Sequence, residues 1–405
     1  MTRFGAVKGS ALGAVVLVVA LAAAWLTFPG TPASAGAVDR WTEPLKVSRD
    51  VSSEWDVAMG AGGRAAVVWY GERDLMVALR SRQGEWSPPR AVAAADHNGY
   101  DLPPAVAMND RGTVVIAFQN KHRLLAVRKP ARSGWQKPHL LRRNPVPFAH
   151  LSVALSRKGE ATVAMIIGGD EGDVYAVRSR SDGRRWQRPR LMGHDGGTAD
   201  VVTAPGGAVT VAWWCETHVC VRSHQQGSRW SGISRVVETN VSGLELAVDL
   251  AGRVYLVSGG GITIREPGGR WHQSDVRLGG WGWHVAAAGR GWAVATFMGE
   301  RGRRGYVSVA IRCPDGRWTA KRVWKTAHVY DASSVIDPHG RVAVTWSGHW
   351  DVTKVHVAHH RPGSRWTPPL ALGRGTEARI NISPSGETLV TYGYWGVWAS
   401  TRRHL

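Results

Sequence analysis

The sequence predicts an all-β protein, an eight-bladed β-propeller of four-stranded antiparallel blades, and three observations lead to this prediction. A short apolar run that opens on glycine recurs every 39 to 49 residues. A second apolar run and a tight turn ending in tryptophan follow most copies. The run after that tryptophan carries proline at a fixed place in most copies. A repeat of this period is typical of a propeller, a solenoid or an array, in which each unit packs mainly on its neighbours.

The glycine opens the second strand of each predicted unit. In seven copies an aromatic or bulky residue follows it by six positions: Gly63 to Trp69, Gly112 to Phe118, Gly159 to Met165, Gly207 to Trp213, Gly291 to Phe297, Gly340 to Trp346 and Gly386 to Tyr392. The eighth copy begins at Gly252 and has Val257 one place early. The turn tryptophans are Trp86, Trp135, Trp186, Trp230, Trp271, Trp318 and Trp366.

The first unit shows the four strands most plainly. Ser52 to Met59, Ala65 to Trp69, Leu75 to Arg80 and Trp86 to Val92 are short runs rich in Val, Ala and aromatic residues. Turns that contain glycine separate them, which is typical of a meander of strands. No apolar period of 3.6 residues persists long enough for a helix.

Proline fixes the order of the strands within a blade. It follows tryptophan within the fourth run at Trp41 to Pro44, Trp86 to Pro89, Trp135 to Pro138, Trp186 to Pro189 and Trp366 to Pro369. Because proline cannot donate to a hydrogen-bonded ladder, this run belongs at the outer edge of each sheet. The run before each repeat glycine then lies innermost.

The two ends of the repeat region set the number of blades. The last repeat ends without its Trp-x-x-Pro strand, whereas the segment from Trp41 to Val47 consists of that strand alone. We therefore expect the N-terminal strand to complete the last blade and close a ring of eight. Because the copy at Gly252 is short, seven blades is the alternative.

The N-terminal residues have the pattern of an export signal. Arg3 and Lys8 precede an uncharged apolar run from Ala11 to Phe28, and Ala33-Ser34-Ala35 fits a cleavage site. We expect residues 1–35 to be a signal peptide, residues 36–405 to be a single propeller domain, and the protein to be secreted or associated with the cell surface. An uncleaved membrane anchor is the alternative; if the signal is cleaved, no stable membrane span remains.

The net charge is +20, and 42 of the 51 basic residues are arginine. Such a surface attracts polyanions, although an arginine-rich composition also follows from a GC-rich coding sequence. No basic run with interleaved aromatic residues occurs, so we expect no nucleic-acid partner. The expected partner is a glycan or an anionic cell-wall polymer, and the protein is expected to be a monomer.

The chain contains three cysteines. Cys215 and Cys220 flank a short turn between two apolar runs, where they can face each other across a hairpin and form a disulfide. A metal site of these two cysteines with His218 lacks a fourth ligand. Cys313 has no evident partner, and the sequence indicates neither a cofactor nor a metal.

The turn before tryptophan resembles a known repeat. Ser179 to Trp186 is similar to the Asp-box of sialidase-type (BNR) repeats, Ser-x-Asp-x-Gly-x-Thr-Trp, and Cys313 to Trp318 is a more degenerate copy. The resemblance implies a secreted bacterial propeller in which the box has a structural role between strands three and four. Sialidases carry Arg-Ile-Pro or a similar motif early in the catalytic domain; here the nearest sequence is Arg379-Ile380-Asn381, at the other end. No catalytic residue is therefore assigned.

Ligands of propellers usually bind where the innermost strands begin, and several repeats place an acid or a histidine there. The candidate ligand-binding residues are Asp56, Asp101, Asp200, Glu245, His284, Asp331, Glu377 and Arg379, with Trp283 and Trp350 as off-pattern aromatic contacts. Three interpretations of these residues are open: they line a solvated channel, they form a binding site, or two of the carboxyl groups form a hydrolytic pair. The repeat tryptophans are expected to pack between blades, where an aromatic ring buries a large area.

These observations favour a secreted, non-catalytic propeller that binds carbohydrate or an anionic cell-envelope polymer. One alternative is a diverged glycoside hydrolase of the sialidase type, and another is a surface scaffold that binds proteins.

Overall fold

Strands account for nearly all of the regular structure in the computed structural model, as the repeat pattern predicts. The structure describes residues 41–48, 54–96, 102–144, 146, 148–169, 171–180, 183–239, 243–259, 261–277, 280–301, 304–326, 329–348, 354–393 and 396–403. Among these residues there is no α-helix, and a single 3-10 turn spans Ala61–Gly63. The predicted signal peptide lies outside the described residues. Among the residues that the structure describes, no helix is long and apolar enough to cross a membrane.

The strands group into eight sequence units, numbered here in chain order. Unit 1 contains β2 (Trp55–Met59), β3 (Ala65–Tyr70), β4 (Asp74–Arg80) and β5 (Arg90–Ala94). Unit 2 contains β6 (Ala105–Met108), β7 (Val114–Asn120), β8 (Arg123–Lys129) and β9 (His139–Arg143). Unit 3 contains β10 (Phe148–Leu155), β11 (Ala161–Ile167), β12 (Gly172–Arg178) and the start of β13 (Arg190–Thr203). Unit 4 contains the rest of β13, β14 (Val209–Cys215), β15 (His218–His224) and β16 (Ser234–Glu238).

The second half of the chain repeats this arrangement. Unit 5 contains β17 (Leu244–Val248), β18 (Val254–Ser258), β19 (Gly261–Arg265) and β20 (Trp271–Arg277). Unit 6 contains β21 (Trp281–Ala288), β22 (Trp292–Arg301), β23 (Arg304–Arg312) and β24 (Trp318–Thr326). Unit 7 contains β25 (Asp331–Ile336), β26 (Val342–Ser347), β27 (Lys354–His360) and β28 (Leu370–Arg374). Unit 8 contains β29 (Thr376–Ile382), β30 (Thr388–Gly393), β31 (Val397–Arg402) and the N-terminal β1 (Leu45–Lys46).

Hydrogen bonding joins these strands into seven antiparallel sheets, six of four strands and one of seven. The seven-stranded sheet combines units 3 and 4, because the long strand β13 pairs with β12 near its start and with β14 near its end. The repeat at Gly252 forms a complete four-stranded sheet, β17 to β20. That repeat therefore has all four strands despite its short length.

The N-terminal strand pairs with the last strand of the chain. Leu45 is paired with Ala399 and Lys46 with Trp398. The first strands of successive units contact one another in chain order, and β29 of unit 8 contacts β2 of unit 1. These contacts bring the last unit against the first.

The apolar core lies between the units rather than within them. Eight clusters of buried side chains each draw residues from two consecutive units, and one joins unit 8 to unit 1. Each cluster has one turn tryptophan packed against it: Trp41, Trp86, Trp135, Trp186, Trp230, Trp271, Trp318 or Trp366. The tryptophans therefore pack between units, as predicted, and Trp41 does so for unit 8.

The Trp-x-x-Pro run lies at the edge of the sheet, as the prolines require. In unit 1 the edge strand is β5, which begins at Arg90 after Pro88 and Pro89. Trp86 makes only an isolated bridge with Arg80. The predicted start at Trp86 is four residues early, because the prolines cannot donate to the ladder.

An arginine near the end of the third strand supports the repeat glycine. Gly63 adopts a φ of 71°, a left-handed conformation that favours glycine. The Arg80 side chain, which is 6% exposed, donates to the Gly63 carbonyl at 2.6 Å. Arg312 donates to the Gly291 carbonyl in the same way, at 2.9 Å. Some of the many arginines are therefore buried parts of the turns.

Candidate functional site

Each first strand places one residue at an equivalent register position. Asp56 is paired with Val68, and Asp200 with Ala212, in each case next to the bulky residue six places after the repeat glycine. The eight residues at this position are Asp56, Ala105, Ser152, Asp200, Glu245, His284, Ser333 and Arg379. We call them the ring residues. Five of them are candidates predicted from the sequence.

The ring residues tie neighbouring units together. Asp200 accepts from the Ser152 hydroxyl of unit 3 at 2.7 Å and from the Leu246 amide of unit 5 at 2.8 Å. Asp56 accepts from the Val106 amide of unit 2 at 2.8 Å. A buried carboxylate that accepts several such bonds is stabilised, and the unit boundary is stabilised with it.

Arg379 makes the equivalent tie between unit 8 and unit 1. Its guanidinium donates to the Asp56 carboxylate at 2.6 Å and lies 4.6 Å from the centre of the Trp55 ring. The two charged side chains are 13% and 4% exposed. A hydrogen-bonded ion pair with this little solvent is strongly coupled, so loss of either partner leaves a buried charge.

Glu245 and His284 form a buried pair. The Glu245 carboxylate accepts from the Val285 amide at 3.1 Å, and His284 Nδ1 accepts from the Ser334 amide at 3.3 Å. Since Nδ1 accepts, the proton of the neutral ring belongs on Nε2, which lies 3.4 Å from Glu245 Oε1. Burial lowers the pKa of His284 to about 4, so the ring is neutral at pH 7.

Burial shifts the pKa of the acids in this region upward. It raises the pKa of Asp200 to about 6 and that of Asp331 to about 7. It raises the pKa of Glu245 well above its ordinary value, and the charges of Asp200 and Asp331 raise it further. Burial is thus the main cause of these shifts, and repulsion between carboxylates adds to it at Glu245 and at Asp331, which Glu377 affects.

A second tier lies two residues before the ring position. Asp331 and Glu377 belong to it, in units 7 and 8. Burial raises the pKa of Glu377, while the nearby Arg379 charge opposes that shift. Glu377 has a φ of 54°, which is uncommon outside glycine. His150 holds the same place in unit 3, and burial lowers its pKa to about 4.

The remaining predicted candidates do not join this arrangement. Trp283 is 8% exposed and packs in the apolar cluster between units 5 and 6, so its ring is not accessible to a ligand. Asp101 and Trp350 lie outside the described residues. Cys215 and Cys220 form a disulfide across the hairpin of unit 4, with their Cα atoms 5.9 Å apart. Within the described parts of the chain, no group of three His, Cys, Asp or Glu side chains is placed to hold a metal ion.

A cationic groove opens on the face that carries the repeat-glycine turns. Its volume is about 1250 Å³, and turn residues of units 1 and 2 form most of its walls. Its basic side chains are Arg64, Arg80, Arg82, Arg111, Arg128, Lys129, Arg132 and Lys158; its acidic ones are Glu85 and Asp110. This groove has no signal in the sequence, because its cations come from turns that are distant from one another along the chain.

The cations of the groove repel one another. Burial lowers the pKa of Arg64, and the charge of Arg82 lowers it further. Burial also lowers the pKa of Lys129, to which the charges of Arg90 and Arg64 contribute. Among the described residues, no carboxylate forms an ion pair with Arg64, Arg82 or Lys129. An anion in the groove would relieve this repulsion.

Asp110 contributes one of the two carboxyl groups of the groove. Burial raises the pKa of its carboxyl to about 6, and the Arg157 guanidinium opposes that shift from 3.9 Å. Neither of its carboxylate oxygens has a hydrogen-bond partner within the described structure. Arg80 and Arg128 are held by the carbonyls of Gly63 and Gly159, each at 2.6 Å. The exposed Arg82, Arg111 and Arg132 line the groove without such a bond to a neighbouring turn.

No protein-family model and no curated protein matches the chain. Among solved structures, the WD40 domain of SCAP from fission yeast matches 90% of this chain and 94% of that domain, with 11% identity and a TM-score of 0.54. An ulvan lyase, a polysaccharide lyase, matches 78% of this chain and 95% of its own chain, with 12% identity and a TM-score of 0.49. A Hadza microbial sialidase matches 88% of this chain and 74% of its own chain, with 13% identity and a TM-score of 0.41. The first likeness supports a propeller fold, since WD40 repeats build propellers, and the other two are too remote to bear on function.

Proposed function

We propose that the protein is a secreted, non-catalytic, eight-bladed propeller that binds an anionic polymer, either an acidic glycan or a cell-envelope polymer. The observation that carries this proposal is the cationic groove of about 1250 Å³ between units 1 and 2. Eight basic side chains line it against two acidic ones. An extended anion is the ligand whose charge such a groove complements.

Two observations support the closed ring of eight blades. The eight apolar clusters each span two consecutive units, and one of them includes Val47 and Leu389 from unit 8 with Trp55 from unit 1. Pairing of β1 with β31 supplies the fourth strand of unit 8. The long strand β13 serves two blades, which reconciles seven hydrogen-bonded sheets with eight blades.

The state of the ring residues favours binding over hydrolysis. Most glycoside hydrolases use two carboxyl groups, an acid and a nucleophile or base, whose pKa values diverge. Here the Asp56 and Asp200 carboxylates already accept hydrogen bonds from neighbouring units. Burial moves the pKa values of Asp56, Asp200, Glu245, Asp331 and Glu377 in one direction, upward. The ring residues therefore act as ties between blades.

Binding to soluble polymers of defined charge tests the function. A glycerol-phosphate polymer and a sulfated glycan are compared with neutral dextran by fluorescence anisotropy over a range of salt concentrations. We expect both anionic polymers to bind, with an affinity that falls steeply as salt rises, because each neutralised contact releases counterions. Equal binding of dextran, or no binding of either anionic polymer at low salt, would contradict the proposal.

The groove is tested with a charge-matched pair of variants. Arg64→Gln, Arg82→Gln and Arg111→Gln together remove three cations from the groove. Arg123→Gln, Arg143→Gln and Arg374→Gln remove three exposed cations that do not line it. We expect the first triple variant to lose about tenfold or more in affinity and the second to lose much less. Equal losses would show that net charge, rather than the groove, governs binding.

A further inference from the structure

We propose that the groove is one end of a longer track, which crosses unit 3, ends in a second cationic cleft between units 3 and 4, and binds one linear chain of phosphate or sulfate groups. This inference rests on the proposed binding of an anionic polymer and adds to it a second site and a minimum length of ligand. Three sets of contacts support it: the second cleft, the turn that connects the two sites, and the state of the cations in units 5 to 7.

The second cleft has a volume of about 370 Å³ and lies between the outer part of unit 3 and the third-to-fourth-strand turn of unit 4. Its polar walls include Arg178, Arg188, Arg190, His224 and Arg229. Among the described residues, no carboxylate pairs with the exposed Arg188, Arg190 and Arg229.

The two remaining basic residues of the cleft are buried more deeply. The Arg178 guanidinium lies 2.8 Å from His224 Nδ1, and Glu160 lies 3.7 Å from the same guanidinium. Burial lowers the pKa of His224, and the positive charges of Arg178 and Arg190 lower it further. The imidazole is therefore neutral and accepts a hydrogen bond from Arg178. The exposed Arg188, Arg190 and Arg229 are the residues of the cleft that would bind a ligand.

The third-to-fourth-strand turn of unit 3 connects the groove to this cleft. Gly183 in that turn lies directly against Arg128, a wall of the groove: a Cβ on Gly183 would be 2.2 Å from the Arg128 Cδ. Arg184 and Arg185 follow and are exposed, and Arg188 then enters the second cleft. In the Asp-box pattern that this turn resembles, threonine stands where this chain has Arg185.

On the corresponding face of units 5 to 7, three arginines form local ion pairs. Arg253 pairs with Asp249 at 2.6 Å and with Glu266 at 2.7 Å. Arg317 pairs with Asp315 at 2.7 Å, and Arg341 pairs with Asp337. Each of these three arginines therefore has a carboxylate partner within its own unit, which the exposed Arg188, Arg190 and Arg229 of the second cleft lack among the described residues.

The chemistry of the track favours tetrahedral oxyanions on a flexible chain. Guanidinium groups bind phosphate or sulfate through two parallel hydrogen bonds, and most cations of the track are arginines. Once a chain is held in the groove, its continuation reaches the second cleft at a high effective concentration. A chain that spans both sites then binds more tightly than one that fills either alone.

The affinity for a series of inorganic polyphosphate chains of increasing, defined length tests this inference. Sulfated oligosaccharides of matched charge are the second arm of the experiment. We expect a steep rise in affinity, of about a hundredfold, once the chain is long enough to occupy both sites. The double variant Arg184→Ser/Arg185→Ser should lose that rise while it binds short chains as the wild type does. Arg361→Ser/Arg365→Ser, two exposed residues in the equivalent region of unit 7, is the control and should keep the rise; circular dichroism checks that all variants are folded.

The outcomes separate the two proposals. Binding that does not depend on chain length, or a rise that survives in Arg184→Ser/Arg185→Ser, would overturn the track and leave the proposed function standing. If polyphosphate and the sulfated chains both fail to bind the wild type at low salt, the proposed function fails as well. A length-dependent rise in one arm alone supports the track and identifies its chemistry as phosphate or sulfate.

Discussion

Arg379 holds the carboxylate of Asp56 at the boundary between unit 8 and unit 1. The pair connects β29 to β2, and the Val106 amide extends the same connection to unit 2. Burial raises the pKa of Asp56, whereas the Arg379 charge lowers it. The ionised form of Asp56 is thus tolerated because the guanidinium is present.

We expect Arg379→Ala to lower the free energy of unfolding by about 3–5 kcal/mol, because it leaves the Asp56 carboxylate buried without its counter-charge. The loss should be larger at high pH than at low pH, since protonation of Asp56 removes the unpaired charge. Urea denaturation followed by tryptophan fluorescence measures it, with Arg143→Ala, an exposed arginine of β9, as the control. Equal effects of the two substitutions would contradict this assignment.

Several ring residues are recognisable from the sequence, but their hydrogen-bond partners in neighbouring units are not. Asp56, Asp200, Glu245 and His284 recur at the start of the first strands, and strand register brings them to equivalent positions. Their role depends on which backbone amide lies opposite in the next unit, some 40 to 50 residues away in sequence. That information arises only when the units are placed side by side.

At the scale of the elements, the glycine turns determine where each second strand begins. Gly63 combines a left-handed φ with a close neighbour: an added Cβ would lie 1.9 Å from the Glu387 carboxylate, which pairs with Arg80 at 2.8 Å. The turn of unit 1 is thus also a contact with unit 8. Conformation and packing both require glycine at this position.

Gly63→Ala should destabilise the protein by about 1–3 kcal/mol or more, through backbone strain and displacement of Glu387. Two other substitutions separate the causes. Gly227 has a φ of 80° with no atom near an added Cβ, so Gly227→Ala reports strain alone. Gly134 lacks both features, and Gly134→Ala should change stability little. Thermal denaturation of the three variants should give the order Gly63, Gly227, Gly134; any other order contradicts the account.

The strands themselves were largely predictable, because period-2 runs, glycine turns and edge prolines are local signals. The order of strands within a unit followed from the prolines alone. The start of β5 was misplaced, since Trp86 belongs to the apolar core without belonging to the ladder. The cationic groove was missed because the turns of units 1 and 2 that form it become neighbours only through packing.

At the scale of the whole molecule, titration of buried groups sets the dependence of stability on pH. Asp331, with a pKa of about 7, and Glu245, raised well above its ordinary value, bind protons more tightly in the folded chain than in the unfolded chain. Their stabilising contribution is therefore present at low pH and is lost as pH rises through the folded pKa. His150 and His284, with pKa values of about 4, act in the opposite direction, since the unfolded chain takes up protons below about pH 6.5 that the buried rings do not.

We therefore expect the buried acids to outweigh the two histidines, so that stability declines from about pH 5 to about pH 7, where Asp331 is ionised in the unfolded chain but still protonated in the folded chain. Asp331→Asn should flatten that decline, because the amide stays neutral throughout. Asp315→Asn is the control: hydrogen bonds from Arg317 lower the pKa of this carboxyl, so it stays ionised across the whole range. Urea denaturation at several pH values measures the effect, and an unchanged slope in Asp331→Asn would refute this interpretation.

Pairing of β1 with β31 has a consequence for how the chain is made. The partner of Leu45 is Ala399, so the two strands that complete unit 8 are synthesised more than 350 residues apart. Units 1 to 7 have all their strands before the last repeat emerges, whereas the boundary between unit 8 and unit 1 can form only afterwards. Pairing of β1 with β31 joins segments more than 350 residues apart, and contacts of such large sequence separation form slowly because of the entropy of loop closure. Until β1 pairs, β31 is an edge strand whose unpaired backbone groups are a template for pairing with another chain.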